Sequence, residues 1–432
     1  MNRRNFLKTS AITSGALCLN IAGFRAAARA QFAPGDNPVL VVIYLRGGQD
    51  QLNTIVPYKD PRYYEIRPSI SVEPENSIPL DDQWAFHPEL KPLKEWYDKG
   101  KVAVVVNAGS PNPTRSHFDA QDFMEYAAPG NRTVHDGWLN RYLAATVPEA
   151  NKGYGLPELR TLAMQELLPR SLRGRYPVLA VPNNLAGLQE TLNLFENFYG
   201  GDKKMDVSAF LKQSTNVRSG ADADPVITTG RETVYGLRRL NQILEGGAED
   251  ADAVLGDVAF QEYPGGYFAS RLQKLARAIK APVGLEVAAT DINGWDHHIG
   301  LGSVDGALDR MLAFLSEGLA AFMSDLGTDL DRTLVVMCTE FGRVCKENGN
   351  AGADHGHGGL MWVLGGKVNG GKVYGKWTGL QESVIHEKRD LPVTTDFRDV
   401  FAEVLQGHMG FDVPTGFFPD YKAKVDRLGL FG

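Results

Sequence analysis

The sequence predicts an α/β protein, built as a three-layer α/β/α sandwich around a mostly parallel central sheet. Six short apolar runs, rich in β-branched residues and bounded by Gly, Pro or polar residues, are typical of fully buried strands. Helical patterns separate them, the clearest over 303–326 and 270–280, where apolar residues recur at steps of three and four. The predicted strands are 39–45, 102–109, 176–182, 284–290, 333–339 and 361–366.

The N-terminus has the pattern of an export signal and not of a folded element. Arg3 and Arg4 in "RRNFLK" precede a modest apolar stretch, which ends at the cleavage-like sequence "AAARA". The paired arginines resemble a Tat signal, which the export machinery reads as an address. We therefore predict a signal peptide over 1–30, no stable membrane insertion after processing, and a periplasmic or secreted protein. The rest, 37–432, is predicted to be one domain with an insertion around 150–275.

Charge and cysteine content narrow the class of partner. The chain of 432 residues carries 45 Lys/Arg and 52 Asp/Glu; without the five Lys/Arg of 1–30, 40 remain against 52, a net charge of −12. An acidic protein of this kind is not expected to bind nucleic acid or an anionic membrane. Cys338 lies in a predicted strand and is expected in the core. A disulfide between Cys338 and Cys345 is an open alternative.

Polar residues that can bind metal follow the predicted strands. Asp50 comes after the first strand, Asp296 and His298 after the fourth, Glu340 after the fifth, and His355 before the sixth. The carboxyl ends of parallel strands meet at one edge of a sheet, where ligands bind. Carboxylates and imidazoles suit Zn, Mn, Mg or Ca, so one or two divalent ions are expected there. Each residue alone could equally cap a helix or satisfy a loop.

Two further histidines are weaker candidates. His297 points opposite to His298 if the segment is extended, so only one of the pair needs to bind the ion. His357 is likewise secondary to His355.

Hydroxyl groups after the second strand offer a nucleophile. Thr114 and Ser116 in "NPTRSHF" stand where a helix begins, and the positive end of a helix favours an alkoxide and an anionic substrate. Ser110 is a third candidate, and N-caps are the ordinary alternative role for Ser and Thr. Arg115 could hold a phosphate or sulfate with two hydrogen bonds; comparable arginines are Arg46 and Arg343.

Several motifs together resemble a known family. They are "YLRGGQDQLNTIVPYKDPRYYEIRP" (44–68), "FHPELKPLKEWYDKGKVAVVVNAGSPNPTRSHFDAQDFME" (86–125), "GWLNRYL" (137–143), "GWDHH" (294–298), "TEFGR" (339–343), "GADHGHGG" (352–359) and "VTTDFRDVFAEVL" (393–405). From about residue 37 onward the chain resembles the Tat-exported family named domain of unknown function 1501. That family in turn resembles the alkaline phosphatase and sulfatase superfamily.

The resemblance implies a role for each matching residue. Asp50 corresponds to the first metal-binding Asp, and Ser116 to the nucleophile. Asp296, His298 and His355 correspond to the ligands of one metal, and Glu340 stands in the Asp-His pair of a second. Phe341 replaces the His of that pair, so the second site lacks a ligand.

Two functions follow as hypotheses. The first is an exported metal-dependent hydrolase of a small-molecule or polymer phosphate or sulfate ester, with a hydroxyl nucleophile and one or two metal ions. The alternative is a non-catalytic sulfatase-like protein that serves as a binding or assembly factor. The absence of a GxGxxG motif after the first strand disfavours a dinucleotide oxidoreductase, and the absence of GxSxG disfavours an α/β-hydrolase.

Overall fold

In the computed structural model, nine strands form one central sheet and helices pack on both of its faces. The structure describes residues 37–147, 159–181, 240–241, 243–245, 262–281, 283–422 and 427–432. The predicted signal peptide and most of the predicted insertion lie outside these residues. Within them, no helix is both long and apolar enough to cross a membrane.

Twelve strands are present in the described part of the chain. They are β1 (Val39–Arg46), β2 (Ile55–Val56), β3 (Ile78–Pro79), β4 (Ala85–Phe86), β5 (Val102–Gly109), β6 (Thr161–Ala163), β7 (Leu179–Ala180), β8 (Val287–Asn293), β9 (Thr333–Cys338), β10 (Gly359–Gly365), β11 (Lys372–Tyr374) and β12 (Thr395–Asp396).

Residues 240–241 and 243–245 are helical, and eight further α-helices have both ends within the described residues. They are α1 (Gln51–Thr54), α2 (Pro61–Ile66), α3 (Lys91–Asp98), α4 (His117–Glu125), α5 (Trp138–Ala145), α6 (Tyr267–Lys280), α7 (Ala307–Leu326) and α8 (Phe397–Gly407). Short 3₁₀ turns occur at Pro74–Asn76, Pro88–Leu90, Arg170–Leu172 and Gly327–Arg332.

The central sheet has the strand order β11-β5-β10-β9-β1-β8-β6-β7, and β12 pairs with β5. The pairs β1–β8, β1–β9, β5–β11, β5–β12, β6–β8 and β6–β7 are parallel, which confirms a mostly parallel sheet. A separate antiparallel sheet of order β2-β4-β3 lies beside it.

Alternate residues of β1 supply the two halves of the core. Val39, Val41 and Ile43 join the apolar cluster that contains residues of α3, α6 and α7. Leu40 and Val42 join the opposite cluster, which contains residues of α5 and α8. Because successive side chains of a strand point to opposite faces, an unbroken apolar run requires helices on both sides.

Three of the strand predictions need correction. The run at 361–366 forms β10, which is antiparallel to both β5 and β9. The segment between β9 and β10 holds no crossover helix, so the chain turns back at the same edge. The run at 176–182 contributes only two half-buried strand residues, and the run at 284–290 forms a strand three residues later than expected, at 287–293.

The strand β6 was not predicted from the sequence. Three residues are too few to show a period in the sequence. Cys338 is buried in β9 as predicted, and both Cys338 and Cys345 are free thiols, so the structure has no disulfide between them.

Candidate metal centre

The candidate site lies at the carboxyl edge of the central sheet, where the parallel strands end. His117 opens α4 after β5, and Asp296 and His298 follow β8. His355 precedes β10, which starts at this edge because it runs against its neighbours. The topology therefore brings together side chains that are up to 238 positions apart in sequence.

Three imidazoles and one carboxylate converge there. The Nε2 atom of His355 lies 2.9 Å from Nε2 of His117, 2.9 Å from Nε2 of His298 and 3.1 Å from Oδ1 of Asp296. Asp296 Oδ1 is also 3.0 Å from His298 Nε2, and its Oδ2 is 3.4 Å from His117 Nε2. Among the described residues, His117, Asp296 and His355 form a group that could hold a metal ion.

The outer nitrogen of each imidazole has its own partner. His117 Nδ1 lies 2.7 Å from Glu340, His298 Nδ1 lies 2.9 Å from Asp354, and His355 Nδ1 lies 2.8 Å from the carbonyl of Arg115. Carboxylates and carbonyls only accept hydrogen bonds, so each Nδ1 carries the proton. In neutral rings the Nε2 atoms of His117 and His298 then each present a lone pair to Nε2 of His355.

Two lone pairs at 2.9 Å repel unless a proton or a metal ion lies between them. A divalent cation fits this arrangement, because metal-binding histidines donate the other ring N–H to a carboxylate or carbonyl. Three imidazole nitrogens with one carboxylate oxygen make a donor set suited to zinc and related transition ions.

Glu340 supports His117 from behind and is not part of the converging group. Its Oε1 accepts hydrogen bonds from the backbone N–H of Gly47 at 2.9 Å, from His117 Nδ1 and from Gln121 Nε2 at 3.0 Å. Burial alone would raise the pKa of Glu340, but the bonds from His117 and Gln121 outweigh it and lower the pKa. Glu340, predicted as a second-site ligand, is thus a buried anion that orients His117.

Gly47 makes this support possible. It has a φ of 122°, and a Cβ there would lie 2.6 Å from the backbone nitrogen of Asp296. Only glycine lets the end of β1 approach the Asp296 segment so closely.

Arg343 fixes the carboxylate of Asp296. Its guanidinium is buried, bonds Asp296 Oδ1 at 2.6 Å, and also donates to the carbonyls of Gly47, Gly48, Trp295 and Ala353. Burial would raise the pKa of Asp296, yet the hydrogen bond and charge of Arg343 lower it to about 2. Asp296 is therefore an anion at any physiological pH.

Phe341 forms one wall of the site. Its ring centroid lies 4.8 Å from that of His117 and 5.0 Å from that of His355. The position where the resemblance expects a second-site histidine thus carries an apolar ring against two histidines of the first site.

Asp50 is not brought into the cluster. It caps α1 and forms a two-pronged ion pair with Arg67, with Nη1–Oδ1 at 2.8 Å and Nη2–Oδ2 at 2.7 Å. Both side chains are fully buried. The guanidinium of Arg67 supplies the positive charge that a metal ion would otherwise give to this carboxylate.

The hydroxyl candidates lie beside the cluster. Ser116 is exposed and caps α4, where its Oγ accepts from the N–H of Asp119 at 3.5 Å. Thr114 Oγ1 accepts from the N–H of Ser116 at 3.3 Å. Ser110 lies further back and is buried, and its carbonyl accepts from His357 Nε2.

The predicted arginines are engaged by carboxylates. Arg115 binds Asp390 and Glu387, at 3.0 Å and 2.7 Å. Arg46 binds Asp291 at 2.7 Å and Glu125 at 3.0 Å.

The two secondary histidines stay outside the converging group. His297 is buried, and burial together with the charge of Arg343 lowers its pKa to about 4. His357 packs against His386, with ring centroids 4.5 Å apart.

His117 is the functional residue that the sequence analysis missed. It directly follows Ser116 in a segment already singled out, at the start of the helix after β5. A third histidine at the same sheet edge was the signal available.

Comparison with known proteins gives a partial family match. Residues 250–415 match a family described as a protein of unknown function (DUF1501). This range contains Asp296, His298, Glu340 and His355 but not His117. Among curated proteins, no sequence matches the chain.

Proposed function

We propose that the protein is a hydrolase of phosphate or sulfate esters that uses one divalent metal ion, held by His117, Asp296, His298 and His355. One observation carries the proposal: the Nε2 atoms of His117 and His298 and a carboxylate oxygen of Asp296 each lie within about 3 Å of His355 Nε2. A divalent ion in such a site supplies Lewis-acid polarisation of an ester oxygen.

The proposal narrows the prediction of one or two metal ions to a single ion. Asp50 is neutralised by Arg67, and Glu340 is committed to Gly47, His117 and Gln121. These contacts leave one ligand set, so a single ion per chain is expected.

Ser116 is the nucleophile in this mechanism. Its hydroxyl is exposed at the N-terminus of α4, directly before the ligand His117. Attack of Oγ forms a bond to phosphorus or sulfur, the bond to the alcohol oxygen breaks, and water then cleaves the seryl ester. The N-terminal N–H groups of α4 favour the anionic group of the substrate.

The remaining residues hold the proposed ligands in place and orient them. Glu340 and Asp354 keep the protons of His117 and His298 on Nδ1, so that Nε2 faces the ion. Arg343 keeps Asp296 ionised and aimed at the same point.

Export belongs to the same proposal. The signal-like sequence over 1–30 and the acidic charge support Tat export and a periplasmic or secreted location. The mostly parallel sheet with helices on both faces supports an alkaline-phosphatase-like sandwich.

The test is metal content and turnover of the purified, processed protein. Mass spectrometry should find about one equivalent of metal per chain. His117→Asn should remove it, whereas His135→Asn, which changes an exposed histidine, should not. The metal-loaded protein should hydrolyse members of a panel of phosphate and sulfate esters, and Ser116→Ala should lower turnover at least 100-fold.

A second function has its own supporting observation. The Ser116 Oγ atom accepts a hydrogen bond from the backbone N–H of Asp119 and caps α4, which is an ordinary structural role for a serine. If the wild type binds one metal ion but hydrolyses no ester of the panel, the protein is a metal-stabilised binding or assembly factor. Loss of the metal should then lower the melting temperature without any loss of catalysis.

A further inference from the structure

Large apolar side chains that are exposed to solvent gather at the same edge of the sheet as the metal centre. Within the described residues, each of these side chains either follows the carboxyl end of a strand or stands at the start of a helix at that edge. None of them lies at the amino edge of the described structure. They are Phe118, Leu167, Tyr267, Ile299, Val304 and Val384, here called the apolar rim.

Single exposed apolar residues are ordinary, so the asymmetry and not the exposure carries the argument. The two most exposed members, Phe118 at 79% and Ile299 at 72%, each directly follow a ligand of the metal centre. Phe118 follows His117, and Ile299 follows His298. Since consecutive Cα atoms are about 3.8 Å apart, both side chains start within one residue of the site.

Two of the proposed ligands are themselves exposed to solvent. The side chains of Asp296 and His298 are 44% and 41% exposed, whereas Glu340 and Arg343 behind them are buried. A substrate whose anionic group reaches the metal would project its alcohol toward solvent, on the exposed side where Phe118 and Ile299 adjoin the proposed ligands in sequence.

We propose that Phe118 and Ile299 select esters whose alcohol carries an apolar group, an aryl ring or an alkyl chain of several carbons. This inference rests on the proposed function. The exposed carboxylates of Asp354 and Glu387 nearby disfavour an anionic lipid surface as the occupant, so a free ester is the better fit.

Binding can be tested apart from turnover with two alkylphosphonates, which resemble phosphate esters but are not hydrolysed. Calorimetry on the zinc-loaded full chain should show octylphosphonate binding at least 10-fold more tightly than methylphosphonate. Phe118→Ser and Ile299→Ser should each remove most of that difference. Leu167→Ser, which changes a 67% exposed rim residue that adjoins no ligand, is the matched control and should preserve it.

Each outcome bears on a separate statement. Equal binding of the two phosphonates by the wild type would overturn the selection, whatever the turnover. An equal loss in Leu167→Ser and Phe118→Ser would overturn the assignment to the two adjoining residues. Tight octylphosphonate binding that depends on Phe118, without hydrolysis of octyl phosphate, would support the rim and defeat the proposed hydrolase.

If the protein binds phosphatidylcholine vesicles and Phe118→Ser abolishes that binding, the rim contacts a bilayer. That result would overturn the choice of a free ester. If the protein hydrolyses both esters, the ratio of kcat/KM for octyl phosphate to kcat/KM for glycerol phosphate should be about 10-fold lower in Phe118→Ser than in the wild type.

Discussion

At the amino edge of the central sheet, polar side chains meet partners of opposite character. Lys101 lies 2.7 Å from Asp331, Arg332 lies 2.7 Å from Asp329, and His408 Nε2 donates to the carbonyl of Val39 at 3.0 Å. At the carboxyl edge, the acceptor atoms of His117, His298, His355 and Asp296 instead face one another.

The difference indicates that the polar groups of the amino edge stabilise the fold, whereas those of the carboxyl edge form the candidate site. Donor–acceptor pairs at the amino edge are complete within the chain and require nothing further. A group of four acceptors is suited to a cation, and buried contacts such as those of Glu340 and Arg343 hold the group in place. The apolar rim is a second difference between the two edges, because its exposed side chains also lie at the carboxyl edge.

The largest expected effect within this comparison concerns the buried pair of Arg67 and Asp50 at the carboxyl edge. Arg67→Met leaves the fully buried Asp50 carboxylate without its counter-ion, which should cost about 3–5 kcal/mol of unfolding free energy. Urea denaturation in the presence of a chelator measures this without a contribution from metal.

The matched variant at the amino edge is Lys101→Gln. Asp331, the partner of Lys101, is largely exposed, so the loss should be only about 0–1 kcal/mol. Equal losses at the two edges would contradict the assignment of Arg67 as the buried counter-charge of Asp50.

The next effect concerns the support of His117. Glu340→Gln keeps the size of the side chain but removes the charge that holds the His117 proton on Nδ1. We expect zinc affinity to fall roughly 10- to 100-fold, measured by competition with a zinc-binding dye.

Glu347→Gln is the control for Glu340→Gln. Glu347 is a carboxylate of the same edge that bonds Ser69 and the backbone of Ile70 and touches no ligand. Unchanged zinc affinity in Glu340→Gln would mean that Gly47 and Gln121, and not His117, determine the role of Glu340.

The sequence was sufficient to predict the central strands and the sheet edge that carries the site. The runs at 39–45, 102–109 and 333–339 became β1, β5 and β9, because a strand buried on both faces requires unbroken apolar residues. The direction of β10 was beyond prediction, since burial gives the same pattern in either orientation.

The site was predicted in its location and only partly in its contacts. Asp296, His298 and His355 were expected at one edge and do meet there. The roles of Asp50 and Glu340 depend on long-range partners, Arg67 for one and His117 for the other, and spacing along the chain does not reveal such partners. His117 was missed because the sequence shows a helix start at Ser116 but does not show that the next side chain faces the histidines of distant segments.

The smallest expected effect belongs to the amino edge and is its dependence on pH. Burial lowers the pKa of His408, and the nearby charge of Lys367 lowers it further. Hydrogen bonds to the backbone of Val39 and of Arg332 raise the pKa but do not outweigh burial. The unfolded chain, with a histidine pKa of about 6.5, then binds a proton that the folded chain does not. His408 therefore contributes its full stability above about pH 6.5 and loses it as the pH falls below that value. Urea denaturation of the chelated protein at pH 7.5 and 5.5 should show a smaller decrease for His408→Asn than for the wild type, with a difference below about 1.4 kcal/mol per pH unit. An identical decrease in both proteins would place the pH sensitivity elsewhere, and would mean that the bond from His408 to Val39 survives protonation.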